Sequence, residues 1–238
     1  MSAIEIRPAA DRFHTRIDWL DSWHSFSFGE FYDPRNTHFG LLRVLNDDVV
    51  APGRGFGMHP HRDMEIVTWV IDGALEHRDT EGNVGVITRN VAQRMSAGTG
   101  IRHSETNASA AEPVHLLQMW VPPDTQGIPP GYEQVDVNDR IKADELFPLA
   151  SGREADAAIR IHQRDATLWV ARVSSAQRVT LPAAPFVHVF MAEGNAELSG
   201  AALGTGDAVR LTDAGALEVT AGDDGAHVVV WETHATLG

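Results

Sequence analysis

Cysteine is absent from the 238 residues, so disulfides and thiolate sites are excluded and any bound metal must be held by His, Asp or Glu. Basic residues are few: 19 Lys and Arg stand against 33 Asp and Glu, a net charge of −14. A surface of that sign repels phosphate backbones, so no direct nucleic-acid partner is expected and the acidity serves solubility. No run of about 18 apolar residues occurs, which leaves no helical membrane span and no membrane partner. The start, MSAIEIRPAADR, lacks a basic segment followed by an apolar one, and a cytoplasmic protein is expected. Long windows of helical periodicity are also missing.

Short apolar runs between turn signals are plentiful instead: Phe39–Leu45, Glu65–Ile71, Val114–Val121, Leu168–Val173, Phe186–Met191 and Ala226–Trp231. Hydrophobic residues make up 43% and charged residues 22%, ordinary globular usage. Many short strands with glycine turns predict an all-β sandwich or barrel. The Pro- and Gly-rich VPPDTQGIPP and a polar stretch from Asp136 to Asp156 place a division near residue 130, giving units 1–130 and 131–238. The units read as distant repeats when Gly73 in WVIDGALEH is laid on Gly194 in FMAEGNAEL. In that register Thr180, Pro182, Val219 and Ala221 stand where the first unit has His59, His61, His103 and Glu105. The second shell of strands is thus expected to lack metal ligands.

His59 and His61 are two residues apart, and such side chains share one face of a strand. His103 and Glu105 repeat the spacing. Three imidazoles and a carboxylate suit Fe, Mn, Ni, Co, Cu or Zn better than Mg or Ca, and a closed structural zinc site fits the same four donors. Glu65 and Asp63 share the parity of His61 and are expected behind the ligands, orienting them. Pro60 has no N–H to give and implies an edge strand or bulge. His14, His38, His162, His227 and His234 read as surface or core residues; His77, His115 and His188, in apolar strands, read as structural. Trp23, Phe26, Phe28, Phe31 and Tyr32 read first as core and second as walls of a flat pocket.

These residues resemble the cupin superfamily, and specifically the pirin family. The first cupin motif is seen as Gly53, His59, His61, Glu65 and Gly73, its last glycine one residue late. The second is seen as Gly100, His103 and Asn107, with Gly98 where many cupins have Pro. HPHRDMEIVTWVIDG, MSAGTGIRHSE and DSWHSFSFGEFYDP are closer to pirin itself. The resemblance implies a bicupin, two tandem antiparallel jelly-roll-like β-barrels with few short helices. It also implies one divalent transition metal, iron first, on His59, His61, His103 and Glu105, with Glu65 outside the set, and a metal-free second barrel.

The family's activity implies a quercetin 2,3-dioxygenase, which opens a flavonol-like small molecule with O2 and releases carbon monoxide. Glu105 is then the candidate base for the substrate's hydroxyl. The alternative is a non-catalytic metal-binding regulator acting through a protein partner. A sugar or small-acid isomerase ranks third, because Arg62 and Arg102 have the opposite parity to the ligands.

Overall fold

Ile101–Asn107 alternates buried and more exposed residues at every second position, the period of a pleated strand with one face on a core. Glu65–Asp72 is instead buried from end to end up to its last residue, as a central strand covered on both faces must be. The computed structural model describes residues 2–238 and is built almost wholly of such segments, with a single three-residue 3-10 turn at Ala9–Asp11.

In chain order the first strands are β1 (Ala3–Arg7), β2 (Phe13–Ile17), β3 (Leu20–His24), β4 (Val44–Val50), β5 (Gly55–His61), β6 (Glu65–Asp72), β7 (Ala74–Asp79), β8 (Val84–Thr88), β9 (Val91–Ser96), β10 (Ile101–Asn107), β11 (Val114–Val121) and β12 (Gly131–Asp136). The rest are β13 (Phe147–Ser151), β14 (Ile159–Arg160), β15 (Ala166–Val173), β16 (Arg178–Thr180), β17 (Phe186–Leu198), β18 (Ala201–Gly204), β19 (Ala208–Thr212) and β20 (Glu218–Thr233). Phe39–Leu45, expected as a strand, is mostly a tight turn closed by paired Phe39 and Leu42 backbones, and only its last two residues enter β4.

A seven-stranded sheet in the order β12-β9-β6-β11-β4-β3-β2 faces the four-stranded sheet β5-β10-β7-β8. Val50, Val70 and Leu116 of the first meet Leu75 and Ile87 of the second. The nine-stranded sheet of the other half wraps around Val187, Val189, Met191, Val228 and Val230. The fold is the expected bicupin, although none of the strand orders closes on itself among the described residues; each barrel is an open jelly-roll sandwich. The division expected at residue 130 is not a clean cut. β1 pairs with β19 in the second half, and β12, just past residue 130, pairs with β9 in the first.

The halves share one core. Leu45, Trp69, Leu117 and Met119 of the large first sheet pack with Leu168, Phe190, Val229 and Trp231 of the second. Each such aliphatic side chain contributes about 1.5–3 kcal/mol by leaving water. Trp69 Nε1–H donates to His227 Nε2 at 3.2 Å, and His227 Nδ1 lies 3.0 Å from Glu193 Oε2, so the buried indole and imidazole are both satisfied.

The repeat is borne out at its glycines. Gly73 and Gly194 have φ of 83° and 82°, in the left-handed region that glycine enters without strain. A Cβ on Gly73 would sit 2.7 Å from Pro113 O, and one on Gly194 would strike Gly225 O. Its register is off by one on β16. Thr180 is exposed and Pro182 only half buried, whereas Val179 and Leu181 face the core with Val219 and Ala221. With a period of two, a slip of one residue exchanges the faces.

Candidate metal centre

β5 and β10 run antiparallel with His103 opposite His59 and Ile101 opposite His61. The pairing brings the three imidazoles together, with ring centroids 4.4 Å apart for His59 and His103, 4.8 Å for His59 and His61, and 4.9 Å for His61 and His103. Pro60 causes no break, because β5 is an edge strand. Gly55 lets β5 lie close, since a Cβ there would overlap Glu105 O. Asn107 ties the far end of β10 by donating from Nδ2 to Val50 O and Glu112 O, each at 2.9 Å.

Hydrogen bonding at Nδ1 in His59 and His103, and burial in His61, leave one nitrogen of each ring without a partner. His59 Nδ1–H donates to Gly57 O at 2.8 Å, leaving Nε2 with its lone pair. His61 Nε2 and His103 Nε2 are buried with no partner. Burial, with the charge of His59 adding, pushes the His61 pKa down to about 4. The same causes, joined by His61 and His77, push that of His103 down to about 2. Neutral rings with bare Nε2 atoms are what a metal requires, and unsatisfied buried polar atoms are otherwise costly. The donor set therefore fits a divalent transition ion.

Glu105 is 2% exposed, and its Oε2 accepts from Gln118 Nε2 at 2.7 Å. Burial raises its pKa, against the opposing effect of Gln118 and the nearby His77 and His59. A register shift in the β5 pairing sets Glu105 opposite Phe56, while the regular β7 pairing sets it opposite His77; its metal-capable grouping is with His77 and His103, and His59, His61 and His103 form the other. Glu105 thus borders the three-imidazole cluster through His103.

His77 does more than fill an apolar strand. Its Nδ1 lies 3.4 Å from His103 Nδ1 and its Nε2 3.1 Å from Asp79 Oδ2, with the His77 and Asp79 side chains wholly buried. Asp79 accepts further hydrogen bonds from the Glu81 and Asn83 backbones and from Asn83 Nδ2. Burial works to raise the Asp79 pKa, but Asn83 and His77 outweigh it and leave the carboxyl below its usual range. An ionised Asp79 only accepts, so His77 carries its proton on Nε2 and must accept on Nδ1. His103 then donates from Nδ1 and presents Nε2 bare.

The other expected helpers lie elsewhere. Glu65 Oε2 accepts from Ser96 Oγ at 2.8 Å and from the His162 backbone N–H at 3.0 Å, so it ties the halves together instead of orienting the imidazoles. Asp63 caps Gly127 N at 2.6 Å, also away from the cluster. Arg62 and Arg102 are exposed on the opposite face, as their parity requires.

A cavity of about 530 Å³ opens beside His59, His61 and Glu105. Phe28, Phe31, Phe56 and Trp120 wall it. Of the five early aromatics only Phe28 and Phe31 reach it: Phe26 packs in the shared core, Trp23 stacks on His14 at 3.8 Å, and Tyr32 is exposed. Its inner side carries His24, Asn46, Asp48 and Gln118, which the motifs did not reveal. His24, Asn46 and Gln118 fall in one register row across β3, β4 and β11. The available signal was Gln118 itself, a polar residue inside the apolar run VHLLQMWV.

Residues 6–121 match a family model described as Pirin, and residues 148–232 one described as quercetinase C-terminal cupin domain. A Mycobacterium tuberculosis protein provisionally named a quercetin 2,3-dioxygenase is 54% identical over 100% of this chain and 98% of its own length. An Escherichia coli protein named quercetin 2,3-dioxygenase is 40% identical over 93% of this chain and 95% of its own. The crystal structure of bacterial pirin YhhW from Escherichia coli, solved in complex with nickel(II), superposes with a TM-score of 0.90 at 37% identity, covering 99% of this chain and 100% of that one. No helix among the described residues is long and apolar enough to cross a membrane. Matched in both halves and along its full length, this chain belongs to the pirin family.

Proposed function

We propose that the chain is a cytoplasmic metal-dependent dioxygenase of the quercetin 2,3-dioxygenase type, opening a flavonol with O2 and releasing carbon monoxide. His59, His61, His103 and Glu105 hold one divalent transition metal, iron first. The observation that carries this reading is the placement of the imidazole cluster, with its bare Nε2 atoms, beside a cavity whose aromatic walls suit a flat ring. When bound, the ion supplies Lewis acidity toward the substrate's oxyanion. The chain does the rest: Phe28, Phe31 and Trp120 hold the ring plane, and Gln118 steadies Glu105 beside the imidazoles. The relatives named as quercetin 2,3-dioxygenases support the choice of substrate class.

A regulator acting through a protein partner needs the same imidazoles but has no use for an aromatic-walled cavity beside them. Anaerobic reconstitution with Fe(II), Mn(II), Ni(II), Co(II) or Cu(II), followed by O2 uptake and carbon monoxide measurement with quercetin, tests the enzyme. Turnover with at least one ion is expected; silence with all of them overturns the reading.

A further inference from the structure

Asp47 and Asp48 are neighbours on β4, and the strand period sends them to opposite faces of the sheet. Asp47 Oδ2 meets Arg12 Nη1 at 2.8 Å, and its Oδ1 lies 2.6 Å from His115 Nε2. Asp48 lines the cavity at 2% exposure, and Ser22 Oγ–H donates to its Oδ1. It enters no ion pair among the described residues. One face of β4 thus holds a neutralised structural carboxylate and the other a buried carboxyl with a hydroxyl for company. Burying such a group is costly unless it has work to do there.

Glu105 is poorly free for proton work once it is a ligand. The lone pairs of a metal-held carboxylate are committed, and Gln118 already donates to Oε2. Asp48 opens on the same space as Glu105 but lies outside both metal-capable groupings. We propose that Asp48 is the proton acceptor of the site, taking the hydroxyl proton of a bound 3-hydroxyflavone-type ring while Glu105 stays on the metal. The substrate O–H bond breaks, its electron pair remains on the substrate oxygen, and a new O–H bond forms on the Asp48 carboxyl. The proton passes to water when the cavity empties. This assignment rests on the flavonol reading above.

The electrostatics agree. Burial pushes the Asp48 pKa up to about 7, opposed by the Ser22 hydrogen bond; Asp47 and Glu105 add to the rise and His115 opposes it. The charges that act on Asp48 are thus Asp47 and His115 from the opposite face of the sheet and Glu105 on β10 from within the cavity, with His24 on β3 and His59 and His61 on β5 lining the same space. A base with a pKa near the working pH is the efficient one.

Proton counting tests the assignment without turnover. The protein, loaded with Zn(II) and kept anaerobic, is titrated with 3-hydroxyflavone at pH 7.5 by calorimetry in buffers of different ionisation enthalpy, while the absorption spectrum reports the bound anion. Wild type is expected to form the anion and release close to no proton, because Asp48 keeps it. Asp48→Asn, which is isosteric and can still accept from Ser22, is expected either to release about one proton per anion formed or to bind the ring undeprotonated. Its zinc content is expected to stay unchanged. Proton release by wild type, or anion formation without release in Asp48→Asn, overturns the assignment and leaves the flavonol reading intact. Failure of wild type to bind the flavonol overturns both. In the iron-loaded enzyme Asp48→Asn is expected to lower kcat/KM by about 10²–10⁴-fold. Ser22→Ala, losing a bond that favours the carboxylate, is expected to move the acid limb of kcat/KM to higher pH; an unmoved limb counts against Asp48.

Discussion

His77 Nδ1 lies 3.4 Å from His103 Nδ1, so the deepest of the three imidazoles is held from behind by another histidine. Asp79 anchors that histidine in turn at 3.1 Å, and the direction of the chain depends on the Asp79 charge. Asp79→Asn can present an N–H to His77, which would reverse both tautomers and put a proton on the His103 nitrogen meant for the ion. Metal affinity is expected to fall by about 10–100-fold, as for other residues supporting a ligand. Competition against a chelator of known strength measures it, and unchanged affinity would show that the relay does not set the His103 tautomer.

Removing ligands acts differently from misdirecting one. His61→Ala and Glu105→Ala are each expected to lower bound metal at equal protein concentration while the far-ultraviolet circular dichroism of the strands persists. The second half supports persistence, since Val179, Leu181, Val219 and Ala221 pack as a core with no metal-binding side chains among them. Full metal content in both variants would contradict the four-ligand assignment.

The imidazole cluster was legible because its information is local. Two pairs at a spacing of two need only be strands to aim inward, and β5 and β10 happen to be hydrogen-bonded neighbours. His77 read only as structural, and Asp79 drew no notice, because they lie on β7, whose place beside β10 comes from a long-range pairing that no short motif encodes. Asp48 escaped for the same reason, since the partners that define its pocket come from β3, β5, β10 and β11. Glu65 misled by parity alone. Parity says which face a side chain takes, and what faces it there was the Ser96 hydroxyl and the His162 backbone of the other half.

Glu65 accordingly separates stability from metal binding. Glu65→Ala strips the acceptor from Ser96 and from the His162 N–H at a fully buried position. Leaving buried donors unpaired costs about 1–3 kcal/mol. A lower denaturation midpoint is expected, with metal stoichiometry equal to wild type. Loss of metal in a still-folded variant would return Glu65 to the surroundings of the ligands.

Acid stability offers a test in the other half. His188 is 1% exposed between Phe26 and Phe39, and neither ring nitrogen has a partner. Burial first, and then the Arg210 charge, push its pKa down to about 3 from the ordinary 6.5. The unfolded chain therefore binds a proton at His188 below pH 6.5 that the folded chain refuses until about pH 3. The stabilisation is fully present above 6.5 and drains away as pH falls through that window, with a slope of roughly 1.4 kcal/mol per pH unit for one proton. His188→Leu keeps an apolar side chain of similar reach and removes the titration. Thermal unfolding midpoints from pH 7 to pH 4 are expected to decline less steeply in the variant than in wild type. Parallel declines would mean that His188 takes up its proton without unfolding, through an opening that lets water reach the ring.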